Sequence, residues 1–301
     1  MKTIVIYNPR AGRHLGDERI QRVIEVLQHG GWETDVLSTS GPGHATDLAR
    51  DAVSAGAQVV LIAGGDGTLN EAIQGLANTD TAFGYIPYGT VNVWARELNI
   101  PRDPAEAAHA LLKGRFERVD LGMAGDRYFL LMAGVGFDAY VLRRARSLER
   151  HKQRFGILPY VASGLSAAPL YRGADVELRY DGVIRRVQAL MLVLGNTRLY
   201  GGRFHITPHA VANDGWLDLT IFKGRGPISF ARQSLPLLLS GRVKGTEVES
   251  IRIRTLNVGG SEPLPLQVDG ELVGTTPTTF RVAPRALCAL IPEGFAAGLI
   301  P

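Results

Sequence analysis

The stretch that most restricts the fold is Gly64-Gly65-Asp66-Gly67-Thr68-Leu69-Asn70, which follows the apolar run Val59–Ala63. Such a run, ended by glycine, reads as a buried strand. Glycines at a strand end let the backbone turn sharply and approach a ligand with no Cβ in the way. The pattern then predicts a helix from Leu69. Successive N–H groups in the turn, with the N-terminus of that helix, form a site for phosphate. Asp66 places a carboxylate where a phosphate should sit. That conflict is resolved if Asp66 serves a Mg²⁺ ion held with the phosphates.

The first third of the chain alternates strand and helix. Strands are expected at Thr3–Tyr7, Glu33–Leu37, Val59–Ala63 and Phe83–Ile86. Helices are expected at Asp17–Gln28, where Ile20, Val23, Ile24 and Leu27 recur at helical spacing, and at Ala45–Ser54, Leu69–Leu76 and Ala105–Leu112. This alternation implies a parallel sheet with helices on both faces, and ligands in such sheets bind at the carboxyl ends of the strands. Past about residue 120 the pattern becomes a series of strands: Tyr128–Gly134, Asp175–Tyr180, Ile184–Leu194, Trp216–Phe222, Ser250–Leu256 and Thr278–Val282. Asp181-Gly182 is a hairpin turn between two of them. The expected fold class is α/β plus all-β, with an N-terminal parallel-sheet nucleotide-binding domain at 1–120 and a C-terminal antiparallel β-sandwich domain at 121–285. The tail 286–301 is expected to complete the first domain.

Composition excludes some classes. With one cysteine, Cys288, in 301 residues, an internal disulfide and a thiolate cluster are ruled out. A net charge of +4 suits an anionic nucleotide or lipid but is too weak to argue for nucleic acid. The apolar start is too short for a targeting segment, and Phe155–Leu170 is broken by Gly156, Pro159, Gly164 and Pro169, so no membrane span is expected. The expected location is cytoplasmic, with peripheral contact at an anionic inner membrane surface as an option. Arg143, Arg144, Arg146, Arg150, Lys152 and Arg154, with Leu142 and Leu148 among them, read either as a basic amphipathic face for that contact or as a solvated helix face. Leu235, Leu237, Leu238 and Leu239 read either as the wall of an acyl cleft or as core.

Gly64-Gly-Asp-Gly-Thr68 resembles the nucleotide-binding signature of the diacylglycerol kinase catalytic family, shared with sphingosine kinases and, more distantly, with NAD kinases and phosphofructokinases. Asn8-Pro9-Arg10-Ala11-Gly12 is similar to the family's first loop, and Thr39 aligns with a nucleotide-contacting threonine. Pro87-Tyr-Gly-Thr-Val-Asn92 is similar to the family's Pro-x-Gly-Thr-x-Asn motif, which puts the Gly89 amide and the Thr90 hydroxyl near phosphates. The resemblance implies ATP as phosphoryl donor, held by Asn8 to Gly12, Thr39, Gly64, Gly65, Asp66, Gly67, Thr68, Leu69, Asn70, Gly89 and Thr90.

Two later segments resemble the lipid-kinase branch. Pro208-His-Ala-Val-Ala-Asn-Asp-Gly-Trp-Leu-Asp218 implies a Mg²⁺ site at Asp214 with the carbonyls of Val211 and Trp216. Val268-Asp-Gly-Glu271 implies Glu271 as general base, since a lipid hydroxyl attacks poorly until a carboxylate accepts its proton. Asp66 is then one carboxylate of a Mg²⁺ network rather than the sole catalyst. Gly134-Val-Gly-Phe-Asp-Ala139 also matches, with no role for Asp138. Each string has a plainer reading as a turn or a cap. Their order along the chain gives them weight. The resemblance implies an ATP- and Mg²⁺-dependent lipid kinase whose partner is a lipid with a free hydroxyl, and it admits a homodimer. Two other readings stay open: an NAD or other small-molecule kinase, and a non-catalytic nucleotide- or lipid-binding regulator.

Overall fold

The computed structural model describes residues 1–11, 17–149, 164, 166–168, 170–292 and 299–300. Gly12, Arg150, Lys152, Arg154 and most of the segment 155–170 lie outside the described residues. In chain order the elements are β1 (Lys2–Tyr7), α1 (Asp17–His29), β2 (Glu33–Ser38), α2 (His44–Ser54), β3 (Val59–Gly64), α3 (Asp66–Leu76), β4 (Ala82–Pro87), α4 (Val93–Glu97), α5 (Pro104–Leu112) and β5 (Arg115–Ala124). There follow β6 (Arg127–Phe129), β7 (Met132–Gly136), α6 (Phe137–Glu149), β8 (Ala174–Tyr180), β9 (Val183–Gly195), β10 (Leu199–Tyr200), β11 (Phe204–His205) and β12 (Leu217–Lys223). The chain ends with α7 (Gly226–Ser240), β13 (Val248–Ile253), β14 (Thr255–Gly260), β15 (Pro265–Val268), β16 (Glu271–Thr275) and β17 (Thr278–Ile291).

The chain forms two compact units. The first holds Met1–Leu121, Val211–Asp214 and Ala283–Pro301. The second holds Gly122–Ala210 and Gly215–Val282. In the first, β2, β1, β3, β4 and the end of β17 lie side by side, and every pairing is parallel. β3 and β4 are buried along their whole length. That is what helices on both faces of a parallel sheet demand, and it is why Val59–Ala63 carries no polar alternation. Truncating a side chain such as the fully buried Leu61 to alanine would cost about 2–5 kcal/mol. Helix α5 starts at Pro104, one residue before the expected Ala105: the Asp103 carboxylate accepts the Ala105 and Glu106 amides at 3.0 and 3.1 Å, and Pro104 needs no partner for its nitrogen.

The second unit is antiparallel. β15 pairs with β16 and β7, β7 with β9, and β9 with β8 and β12. β14 joins β8 to the first part of β17. Phe129, Leu192, Leu194, Leu219, Ile221, Leu256, Val268 and Phe280 fill its core at essentially no exposure. The Asp181-Gly182 turn closes the β8–β9 hairpin with both residues at positive φ, 48° and 76°. Two positive φ values match the right-handed twist of the flanking strands.

Four element expectations are corrected. Helix α3 begins at Asp66, not Leu69, so the whole motif past Gly65 is its first turn. The strand expected at Tyr128–Gly134 is two, β6 and β7, interrupted where the amides of Leu130, Leu131 and Met132 turn to a side-chain acceptor. The strand expected at Ser250–Leu256 is also two, since β13 pairs with β12 while β14 pairs with β8 and β17. Conversely, the strand expected at Thr278–Val282 runs on to Ile291 as β17. Alternation marks burial but not pairing partner, so it cannot show where a strand changes neighbours.

Candidate active site

Because β1, β2, β3 and β4 are parallel, their carboxyl ends lie at one edge of the first unit. The loops after β1, β3 and β4 are tied together there. Asn8 donates from its side-chain nitrogen to the Thr68 hydroxyl at 2.8 Å, and its side-chain oxygen accepts the Arg10 amide at 2.9 Å. The Ala11 amide closes the same turn on the Asn8 carbonyl at 3.0 Å. Pro9 and Arg10 are exposed beside it. Thr39, just past β2, donates its amide to Tyr7 at 2.8 Å and so stays next to the end of β1.

Gly65 and Gly89 cross closely at this edge. A Cβ on Gly89 would stand 2.6 Å from the Gly65 Cα and 2.6 Å from the Asn92 side-chain oxygen. No side chain fits there, so two backbones pass each other with no Cβ between them, the close approach that a phosphate cradle requires. Asn92, at φ 54°, locks the second loop by donating to the Gly89 carbonyl at 2.8 Å and accepting the Tyr85 hydroxyl at 2.9 Å. Asp66 accepts the amide of Val93 at 2.7 Å. It thereby sits at the N-termini of both α3 and α4, where helix dipoles favour negative charge. The Tyr85 hydroxyl is held far from ionisation by burial and then by the Asp66 charge. Gly67 and Thr90 are exposed, and Gly65, Asp66 and Gly89 partly so. Leu69 and Asn70 are buried, at 1% exposure each.

In the second unit the Asp-Gly-Glu segment is the turn between β15 and β16. Asp269 takes φ 45° and Gly270 φ 85°. The Asp269 carboxylate accepts three consecutive amides, Leu130 at 2.8 Å, Leu131 at 3.0 Å and Met132 at 2.9 Å. Asn196 supports the same break by donating to the Leu130 carbonyl at 2.9 Å. Asp269 is therefore an anchor, and the next carboxylate is the one presented outward. Glu271 meets Arg127 at 3.0 Å, both about a third exposed.

A second chain of contacts runs beneath this turn. The Gly270 amide donates to the Gln267 side-chain oxygen at 2.8 Å, and the Gln267 side-chain nitrogen donates to Asp138 at 2.9 Å. Asp138 is buried, which raises its carboxyl to about 6 against the pull of these hydrogen bonds. Sequence reasoning noted Asp138 without a role and did not single out Gln267 or Arg127. A lone glutamine in a strand and a lone arginine before one carry no recognisable spacing.

The loop Val211–Trp216 turns at Gly215, φ 76°. Among the described residues no three His, Cys, Asp or Glu side chains cluster as a metal site. The donors in this loop are one carboxylate, Asp214, the side-chain amide oxygen of Asn213 and backbone carbonyls. An all-oxygen set with waters completing it fits Mg²⁺ and not a soft metal. The Trp216 ring is covered by Arg254 and Arg252, whose guanidinium carbons lie 4.3 and 5.3 Å from its centre.

Comparison with known proteins bears on this arrangement. A family model described as the diacylglycerol kinase catalytic domain matches residues 2–124. A second, described as the YegS C-terminal NAD kinase beta sandwich-like domain, matches residues 132–291. The chain is 31% identical over 292 residues to a diacylglycerol kinase of Bacillus subtilis (strain 168), covering 96% of each. It is 30% identical over 279 residues to a diacylglycerol kinase of Staphylococcus carnosus (strain TM300), covering 92% of this chain and 90% of the other. A solved diacylglycerol kinase structure from Bacillus anthracis str. Sterne superposes with a TM-score of 0.76 at 22% identity, over 97% of both chains, a likeness of fold.

Proposed function

This chain belongs to the diacylglycerol kinase family, and we propose on that premise that it transfers the γ-phosphoryl group of ATP to the hydroxyl of a diacylglycerol-like lipid. The observation that most favours this reading is the crossing of Gly65 over Gly89, with no room for a side chain and with Asp66 bound to the α4 N-terminus. Phosphoryl transfer leaves a protein little covalent work; it needs positioning and neutralisation of phosphate charge. The amides of the first turn of α3 and of Gly89, the Thr90 hydroxyl and the turn Asn8–Ala11 are the groups that hold the donor in this reading.

Glu271 accepts the proton of the lipid hydroxyl as the new P–O bond forms. Asp269 fixes the turn that carries it, and Arg127 orients its carboxylate. Asp214 with the carbonyls of Val211 and Trp216 would hold Mg²⁺, and Asp66 would serve a second position near the phosphates. When bound, the cation neutralises negative charge and fixes the backbone around it. The lipid hydroxyl, rather than the hydroxyl of NAD, is favoured because relatives at 30–31% identity carry the name diacylglycerol kinase.

Transfer of radiolabelled phosphate from ATP to a lipid panel, with NAD in parallel, tests this. Labelled diacylglycerol or a related lipid alcohol is the expected product. Glu271→Gln should lower kcat by about 10²-fold or more, the size of a lost general base, with little change in the KM for ATP. Full activity in Glu271→Gln refutes the base, and label on NAD but on no lipid refutes the substrate class.

A further inference from the structure

Helix α7 is apolar on both sides, which is the pattern of a buried helix. Its inner side packs: Phe230 stacks on Phe137 at 4.5 Å, and Gln233 donates to the Lys223 carbonyl. Its outer side does not. Ile228, Leu235, Leu238 and Leu239 are 75%, 59%, 58% and 80% exposed. At about 100° per residue these four fall within an arc of about 100° on one face. Scattered exposed leucines need no explanation, but four on one stripe of one helix mark a surface that meets something apolar. The core reading of these leucines does not hold at positions 235, 238 and 239, which are exposed.

The charge around the stripe is basic. Arg242 and Lys244 are exposed just past the end of α7, and neither has an ion-pair partner among the described residues. Arg203 is exposed two residues before His205, whose amide donates to the Gly241 carbonyl at 2.8 Å. Arg232, on the helix itself, is paired with Glu247 at 3.3 Å. Among the described residues no helix is long and apolar enough to cross a membrane.

We propose that the outer face of α7 docks on a bilayer that carries anionic phospholipid, with Ile228, Leu235, Leu238 and Leu239 entering the headgroup boundary and Arg203, Arg242 and Lys244 meeting the phosphates. An apolar stripe edged by basic residues is what an interfacial helix presents. A second copy of the chain is the poorer occupant. A two-fold contact sets the same patch against itself and brings like charges together. The docking draws its purpose from the lipid-kinase reading, but it can be tested without phosphoryl transfer.

The test is sedimentation of the full chain, without nucleotide, with vesicles of phosphatidylglycerol mixed into phosphatidylcholine and with phosphatidylcholine alone. The wild type should pellet with the mixed vesicles, less so as salt rises. The Leu235→Ser/Leu238→Ser/Leu239→Ser variant should bind at least about tenfold more weakly with an unchanged melting temperature. Arg242→Glu/Lys244→Glu should lose much of the salt dependence. A triple variant that pellets like wild type overturns the proposal, as does a wild type that ignores anionic vesicles. A wild-type dimer that the triple variant dissolves, with vesicle binding unaltered, also overturns it in favour of self-association. Loss of vesicle binding in the triple variant, with no lipid ever phosphorylated, would keep the docking and refute the kinase reading instead.

Discussion

Asp269→Asn isolates the anchor beneath Glu271. Asparagine matches aspartate in shape and tolerates the left-handed conformation that the residue holds at φ 45°. One carboxylate oxygen accepts Leu131 and Met132 at 3.0 and 2.9 Å, and the other accepts Leu130 at 2.8 Å. The amide oxygen of asparagine can keep the first two. Its nitrogen then faces the Leu130 amide, donor against donor. A hydrogen bond to a charged group contributes about 1.5–3 kcal/mol and a neutral one about 1. Losing one outright and weakening two comes to about 3 kcal/mol at the lower end of these figures. The side chain is partly exposed, so water compensates some of this, and about 2 kcal/mol is the expected loss. Urea unfolding followed by far-UV circular dichroism should show the unfolding free energy falling by that amount, read as the shift in midpoint multiplied by the slope m. The turn that carries Glu271 loosens with it, so kcat should fall while the KM for ATP holds. A change below about 0.5 kcal/mol would refute the reasoning, because the three amides would then not depend on the carboxylate charge.

Further outcomes follow from the same geometry. Gly89→Ala puts a Cβ 2.6 Å from the Gly65 Cα, backbone that cannot yield cheaply, and should weaken binding of a fluorescent ATP analogue by tenfold or more (about 1.4 kcal/mol). Thr68→Val removes the acceptor of the Asn8 side chain and should cost about 1 kcal/mol by thermal unfolding. Burial raises Asp138 from 3.8 to about 6, so the folded state keeps a proton that the unfolded chain has lost. That contribution to stability is full below about pH 4 and vanishes as pH rises through about 6, up to about 3 kcal/mol, and Asp138→Asn should flatten this slope in melting curves recorded from pH 4 to 8. Chelation of Mg²⁺ with EDTA should lower the melting temperature of the wild type, and Asp214→Asn should already be lowered and respond no further.

Much of the fold was legible along the chain because its signals are local. A parallel-sheet strand buried on both faces reads as an unbroken apolar run, as Val59–Ala63 does, and Asp103-Pro104 marks a helix start by its own chemistry. The glycine motifs were legible for the same reason: a backbone that must approach another backbone excludes side chains, and Gly65 and Gly89 record that exclusion. The sequence by itself determined the order of strands and helices, the change of pattern near residue 120 and the loops in which the candidate groups sit. Only the tertiary structure decided what those groups do to one another. Asp66 reaches an amide 27 positions away, and Asp269 reaches amides 137 to 139 positions away. Asp138 acts on the Asp-Gly-Glu turn through Gln267, 129 residues distant. Such contacts have no period and no spacing, since chain closure sets them rather than any local propensity. The same holds for α7: a run of leucines states that a surface is apolar, and only packing decides whether the protein itself covers it.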